Sequence, residues 1–263
     1  MKPGELLIQN VSKLNISNRE NIRWIYISPH FDDAVLSCGG LIWEQTKKGI
    51  PVEIWTINTG DPPAGPVSDL ITRVHTKWNT GTPGETVALR RTEDQIAARQ
   101  VGATVQHLGM LDAIYRRTQA GLFKYTDDVF GPIHPEETGI IEETARRISL
   151  QLAETDILVC PLGLGGHVDH AIVRAAIESL ERPILYYSDI PYLFKHPEEL
   201  SAATSAMLPK HFFVSDPGLA AWQTGIEAYQ SQLLSLFEDL QEMQTQIQDY
   251  HTSNNGLIIW EKT

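Results

Sequence analysis

Short, almost uninterrupted apolar runs alternate along this chain with stretches of helical periodicity, and that alternation constrains the fold more than any other feature. Residues 23–29 (RWIYISP), 52–57, 104–108, 156–160 (DILVC) and 183–187 read as strands. Between them, 33–48, 85–101, 140–154 and 169–180 read as helices. Two of these end on Gly49 and Gly102, the residue favoured just past a helix terminus. Strands apolar on both faces belong to a parallel sheet covered by helices on either side. Further on, 212–214 predicts a short sixth strand, 217–250 one long helix, and 257–260 a last edge strand. There is no internal repeat and no low-complexity linker. With 263 residues and about 100–200 residues per domain, the expectation is a single α/β domain over 1–263, a three-layer αβα sandwich with a mainly parallel sheet.

Charge narrows the functional classes. Lys and Arg number 21 against 33 Asp and Glu, a net charge of −12, and no basic run offsets it, which argues against broad binding to nucleic acid or anionic membrane. No apolar stretch approaches the roughly 20 residues that span a bilayer. Residues 1–15 lack the apolar core of a signal peptide. Cys38 and Cys160 are the only cysteines, so no disulfide framework is implied and a reducing, cytoplasmic setting is expected.

Residues 58–84, 109–139 and 188–210 resist assignment, and the first carries NTGDPPAGP and NTGTPGE. Loops this long inside a compact domain are functional more often than decorative. All three leave the carboxyl ends of strands, where open α/β sheets bind ligands.

Two motifs sit at such ends. Ser28-Pro29-His30-Phe31-Asp32-Asp33 lies where the first strand turns into the first helix. His30 and Asp33, three apart, can converge on one cation, with Asp32 facing water or substrate. Taken alone, an Asp pair at a helix start is also good capping chemistry. The second motif, Gly165-Gly166-His167-Val168-Asp169-His170, follows the fourth strand, again with two ligand-type residues three apart at a helix start. In the doubly wound order 3-2-1-4-5 the first and fourth strands are neighbours, and the crevice between them is the topological switch point. Motifs 137 residues apart thus meet at the preferred ligand site of the fold. Three protein ligands with an open position are the pattern of a catalytic zinc site, and the chemistry implied is metal-assisted hydrolysis of an amide or ester.

At these residues the chain resembles the PIG-L/LmbE-like zinc deacetylases, a Rossmann-like family whose signatures are Pro-His-Pro-Asp-Asp-Glu and His-x-Asp-His. Here they stand as Pro29-His30-Phe31-Asp32-Asp33-Ala34 and His167-Val168-Asp169-His170. The resemblance implies that His30, Asp33 and His170 ligate the metal. It makes Asp32 the general base and His167 the electrostatic and acid partner, oriented by Asp169. Arg90 and Glu93, Ala97-Ala98, Val101-Gly102, Leu108-Gly109 and Asp112 match a further family segment, which would turn Arg90 and Asp112 toward substrate hydroxyls. By spacing alone Arg90 and Glu93 read equally as an i,i+3 pair on a solvated face. Tyr229-Gln230-Ser231-Gln232 matches a late family helix segment with a structural role. The departures are Phe31 for proline and Ala34 for glutamate, and neither removes a ligand or the presumed base.

The remaining residues are read more plainly. Of Trp55, Trp78, Tyr115, Tyr187 and Tyr192, only Trp78, in its Gly-rich setting, is expected at a substrate ring; the others should pack in the core. His75, His107, His134, His196 and His211 show no partner spacing. Leu219, Trp222, Ile226, Tyr229, Leu233, Phe237 and Leu240 form a stripe of core type that also suits a contact between copies of the chain.

The implied activity is a zinc-dependent N-deacetylase acting on a small N-acetylated amino sugar, a GlcNAc-type glycoside or natural-product intermediate. Fe²⁺ suits the same ligand set. The alternatives are an amidase or deacylase for a larger conjugate and a non-catalytic Rossmann-like binding protein. Against the last, no G-x-G-x-x-G follows the first strand, since Gly39-Gly40 fall inside the helix.

Overall fold

The computed structural model describes residues 22–263; the N-terminal stretch read for a signal peptide lies outside them. Strand β1 (Trp24–Ser28), apolar and buried on both faces, leads into α1 (Asp33–Lys47). Strand β2 (Val52–Thr56) is followed by α2 (Asp69–Trp78) and α3 (Pro83–Gln100), and then by β3 (Thr104–His107). After a long loop come α4 (Ile140–Ser149), β4 (Ile157–Pro161), α5 (Val168–Glu178) and β5 (Ile184–Tyr187). Two short helices, α6 (Tyr192–Lys195) and α7 (Glu198–Ala203), precede β6 (Met207–Phe213). The chain ends with α8 (Asp216–Glu227), α9 (Gln230–Leu236), α10 (Leu240–Asn254) and β7 (Gly256–Lys262).

The seven strands form one sheet in the order β3-β2-β1-β4-β5-β7-β6. The first five are parallel, as expected of short strands joined by helices, and β7 runs antiparallel to both β5 and β6. The pairing of β1 with β4, Trp24 opposite Ile157 and Tyr26 opposite Val159, brings the two motif-bearing strand ends side by side.

Three expectations need correction. The last strand is not at the edge: β7 lies between β5 and β6, and β6, longer than expected, takes the edge. The late helix is three helices, because residues of α3 hold its first break and its own Asp239 the second. Glu93 on α3 accepts hydrogen bonds from Ser231 N (2.8 Å) and Oγ (2.6 Å), and Asp94 accepts one from the Tyr229 hydroxyl (3.0 Å). Asp239 then caps α10 by accepting from Glu242 N at 2.8 Å. The same contacts remove the solvated Arg90–Glu93 pair, since both residues are buried and Glu93 turns to Ser231.

The stripe of the late segment is core for most of its length: Leu219, Trp222, Ile226, Tyr229 and Phe237 are buried, while Leu240 is exposed. It also explains Gly39-Gly40. A Cβ at Gly39 would stand 2.5 Å from Trp222 Cδ1, and one at Gly40 2.8 Å from Val214 Cγ1. The missing side chains let the indole lie against α1, where its N–H donates to the carbonyls of Val35 (2.9 Å) and Leu36 (3.0 Å). The helix that starts at the site is thereby held from behind.

Candidate metal centre and active site

The elbow after β1 is shaped by its own polar groups. Ser28 Oγ donates to the His30 carbonyl (2.6 Å) and accepts from Ala34 N (3.0 Å), and His30 N donates to Asp33 Oδ2 (2.7 Å). Asp32 occupies the N-cap position of α1 but makes no capping bond, so its carboxylate is left for other work. Phe31, in place of the family proline, is buried among Leu70, Ile71, Val87 and Ile114, and Ala34 is buried in the main core.

The second elbow, after β4, passes through a tight turn at Leu164–Gly166 with Gly165 at φ +78°, where the Tyr192 ring leaves no room for a Cβ. His167 is the N-cap of α5, its Nδ1 accepting from Asp169 N at 3.1 Å. The adjacency of β1 and β4 gathers three imidazoles: His30 and His167 centroids are 4.6 Å apart, edge to face, and His170 lies tilted 5.4 Å from each.

Ligand-type atoms of His30, Asp33 and His170 fall within 4.8 Å of one another. The Asp33 carboxylate sits between the two rings, 3.4 Å from His30 Nδ1 and 3.3 Å from His170 Nε2. Donors about 2.0–2.1 Å from a tetrahedral ion stand roughly 3.3–3.4 Å apart, so this set fits a small divalent cation. The opposite ring nitrogens fit too. His30 Nε2 meets Asp169 Oδ2 at 3.1 Å and His170 Nδ1 meets Asp189 Oδ1 at 2.7 Å, the carboxylate–histidine pairing that orients metal-ligating imidazoles. A second grouping, His30, His167 and Asp169, is also compact. It fits less well, because Asp169 is already engaged by His30, by Ala113 N (2.9 Å) and by Arg116 Nη1 (2.5 Å).

The expected orientation of His167 by Asp169 runs through the Asp169 backbone N–H, while the Asp169 carboxylate serves His30. Asp189, overlooked in the sequence, also accepts from Gly163 N (2.8 Å) and Leu164 N (3.1 Å). Its only sequence signal is its place directly after β5, at the same edge of the sheet.

Arg90 comes to the site from α3. Its guanidinium lies over Trp78 (4.6 Å to the ring centroid) and Phe31 (5.3 Å), with Nη2 3.6 Å from Asp32 and Nη1 3.8 Å from Asp112. Asp112 also caps the turn Ala113–Tyr115 through Ile114 N. Burial, partly offset by the Arg90 charge, pushes Asp32 up to about 6. Burial would raise Asp33 as well, but His170 and His30 hold it well below the usual carboxylate range. His170, despite burial, is lifted to about 10 by Asp33 and Asp189. Burial and the neighbouring His30 keep His167 well below the ordinary imidazole value. The field that raises His170 also favours a divalent cation among the same atoms.

His30, Asp32, Asp33, Arg90, Asp112 and His167 line a cavity of about 610 Å³. Trp78 lines it, as expected, and so do Tyr192 and Phe130, which edge onto His170 and His167. Tyr192 thus differs from its expected core role, whereas Trp55, Tyr115 and Tyr187 are buried. Two histidines without partner spacing have partners in space: His107 Nε2 meets Asp94 at 3.0 Å, and His75 Nε2 meets the Tyr115 hydroxyl at 2.8 Å. Among the described residues no helix is long and apolar enough to cross a membrane.

Comparison with known proteins bears on the same residues. The family model of PIG-L, GlcNAc-PI de-N-acetylase, matches residues 25–180, which include both elbows and Arg90. A 2'-N-acetylparomamine deacetylase of Niallia circulans is 29% identical over 93% of this chain and 90% of that protein. A protein of the same name from Streptomyces fradiae is 27% identical over 65% of this chain and 57% of its own length. Among solved structures, a deacetylase of the teicoplanin biosynthesis pathway superposes with a TM-score of 0.75 at 24% identity, over 90% of this chain and 96% of its own. The zinc-inhibited form of teicoplanin deacetylase gives 0.75 at 23%, over 90% and 97%. These two likenesses establish the fold.

Proposed function

This chain belongs to the PIG-L family, and on that premise we propose that it is a zinc-dependent N-deacetylase that releases acetate from an N-acetylated amino sugar. The observation that carries the reading is the set His30, Asp33 and His170, each ring backed by a buried carboxylate, with Asp32 beside it at the floor of a cavity. The relatives named for 2'-N-acetylparomamine support a natural-product amino sugar as substrate class. A cavity of about 610 Å³ is mid-range for pockets that enclose drug-sized molecules, which suits a glycoside larger than one ring. Two buried free thiols fit a cytoplasmic enzyme, and one sheet carrying both elbows fits a single domain.

Zinc held by His30, Asp33 and His170 would lower the pKa of its water toward about 7 and polarise the acetamide carbonyl. Asp32, outside that set and free of any capping bond, takes the proton of the attacking water and passes it to the departing amine. His167 stays neutral, and the Asp169 N–H fills its Nδ1 lone pair, so the ring carries its proton on Nε2. As a neutral donor it stabilises the oxyanion. Arg90 and Asp112, at the cavity wall, bind sugar hydroxyls, and Trp78 offers a face to the ring.

The test is acetate release by zinc-reconstituted protein across N-acetylamino sugars and their glycosides, 2'-N-acetylparomamine among them, with Asp32→Asn in parallel. Turnover should fall by about 10²–10⁴-fold in the variant at unchanged zinc stoichiometry. Full turnover in Asp32→Asn refutes the base. Absence of release from every sugar, with zinc bound, moves the reading to a different acyl group or conjugate.

A further inference from the structure

The loop 109–139 has the length of a lid, yet its interior is built of buried charge. Arg116, Glu137 and Asp169 are all buried, Arg116 lying between the two acids. Its Nη1 is 2.5 Å from Asp169 Oδ1 and its Nε 2.5 Å from Glu137 Oε1, the latter an ion pair whose N–H does not point along the line to the oxygen. Glu137 is held in turn by the Tyr125 hydroxyl (2.9 Å) and by Lys124 at 3.6 Å. Backbone contacts tie the same loop to the second elbow: Val168 N donates to Val129 O (2.9 Å), Gly131 N to Gly166 O (3.0 Å), and Phe130 bridges to His167.

Stability does not explain this cluster. A buried ion network is no more stabilising than apolar residues of the same volume, because desolvation offsets the attraction. The geometry does explain it. Asp169 has two oxygens, and only Oδ2 reaches His30 Nε2. With Oδ1 taken by Arg116 and Oδ2 shared with Ala113 N, the carboxylate plane cannot turn. A fixed anion at His30 Nε2 holds the proton there and leaves the Nδ1 lone pair facing Asp33 and His170.

We propose that Arg116 is a positioning residue that locks Asp169, and through it His30, so that cation binding and the ordering of residues 113–131 are one coupled event. The proposal rests on the reading of His30, Asp33 and His170 as the metal ligands. Coupling of this kind is reciprocal: whatever affinity the locked loop lends the cation, the cation returns as order in the loop.

The test uses the full chain, with zinc as the probe. Zinc affinity is measured by chelator competition, amide exchange is followed with and without zinc, and far-UV circular dichroism of the metal-free protein checks folding. Zinc should slow exchange across 113–131 in the wild type. Arg116→Gln should weaken zinc binding by about 10- to 100-fold and abolish that protection, and Arg116→Lys, which keeps the charge but not the fork, should fall between. Glu137→Gln leaves the Arg116–Asp169 contact in place and should weaken binding by only about threefold, less than loss of an outer partner. If Arg116→Gln does not fold, Arg116→Lys and Glu137→Gln carry the comparison in the same order. Unchanged affinity in a folded Arg116 variant, or loop exchange indifferent to zinc, overturns the proposal while zinc-dependent acetate release stands. Failure of the wild type to bind zinc overturns the metal reading, and this inference with it.

Discussion

Replacing Asp189 by asparagine changes no volume and removes one charge, and the structure dictates that it cannot do so quietly. Oδ1 of Asp189 takes the Nδ1 proton of His170 at 2.7 Å, and Oδ2 takes two backbone N–H groups, from Gly163 and Leu164. All three partners are donors, and an amide offers one oxygen and one NH₂. If the amide oxygen stays with the backbone, the NH₂ faces His170 Nδ1, the ring proton moves to Nε2, and the lone pair that points at Asp33 is lost. If the amide flips, the buried Leu164 N–H and the half-buried Gly163 N–H face an NH₂, each unsatisfied group costing up to about 1–3 kcal/mol. Holding the ligand geometry therefore costs up to about 2–6 kcal/mol before relaxation. Relaxation brings this toward the 10- to 100-fold loss usual for such partners, about 1.4–2.7 kcal/mol. The expected result is zinc affinity lower by at least about tenfold, measured by chelator competition, with urea unfolding of the metal-free protein as control. Wild-type affinity in a folded Asp189→Asn protein would falsify the claim that this carboxylate sets the tautomer of His170.

Other perturbations follow from the same contacts. Gly39→Ala gains about 1 kcal/mol of helix propensity, but its Cβ meets Trp222 at 2.5 Å, and overpacking costs about 1–3 kcal/mol. Strain on the two indole hydrogen bonds adds to that cost, so urea unfolding should show net destabilisation; a stabilised variant would mean the indole moves aside freely. Thr82→Ala breaks the capping box with Glu85 at the start of α3 and should lower stability by about 1 kcal/mol without changing zinc affinity. Zinc at about 100 times its dissociation constant should raise apparent unfolding free energy by about 2.7 kcal/mol, and a chelator should reverse it. A melting temperature indifferent to zinc would mean that the folded ligand set does not bind it.

Much of the candidate site was legible because its key decisions are local. The strand-to-helix elbows put His30 and Asp33, and His167 and His170, three apart at helix starts, and parallel connectivity made β1 and β4 neighbours. Arg90 left two readings open, since a spacing of three from Glu93 says nothing about which face of α3 meets the sheet. Packing decided it: Phe31 and Trp78 enclose the guanidinium, and Ser231 claims Glu93.

By itself, then, the order of residues determined what short-range geometry can determine: strand runs, elbows, the spacing of the ligand-type residues and the crevice where they meet. The tertiary structure alone decided which partner each buried charge takes. Asp189 for His170, Arg116 for Asp169 and Glu93 for Ser231 lie 19, 53 and 138 positions apart. No helical or strand period links residues at such separations. A buried charge must nonetheless find a partner, and the one it finds depends on which surfaces the fold presses together. The place of β7 inside the sheet has the same origin, because a short apolar run reads alike whether one neighbour or two will hydrogen-bond to it.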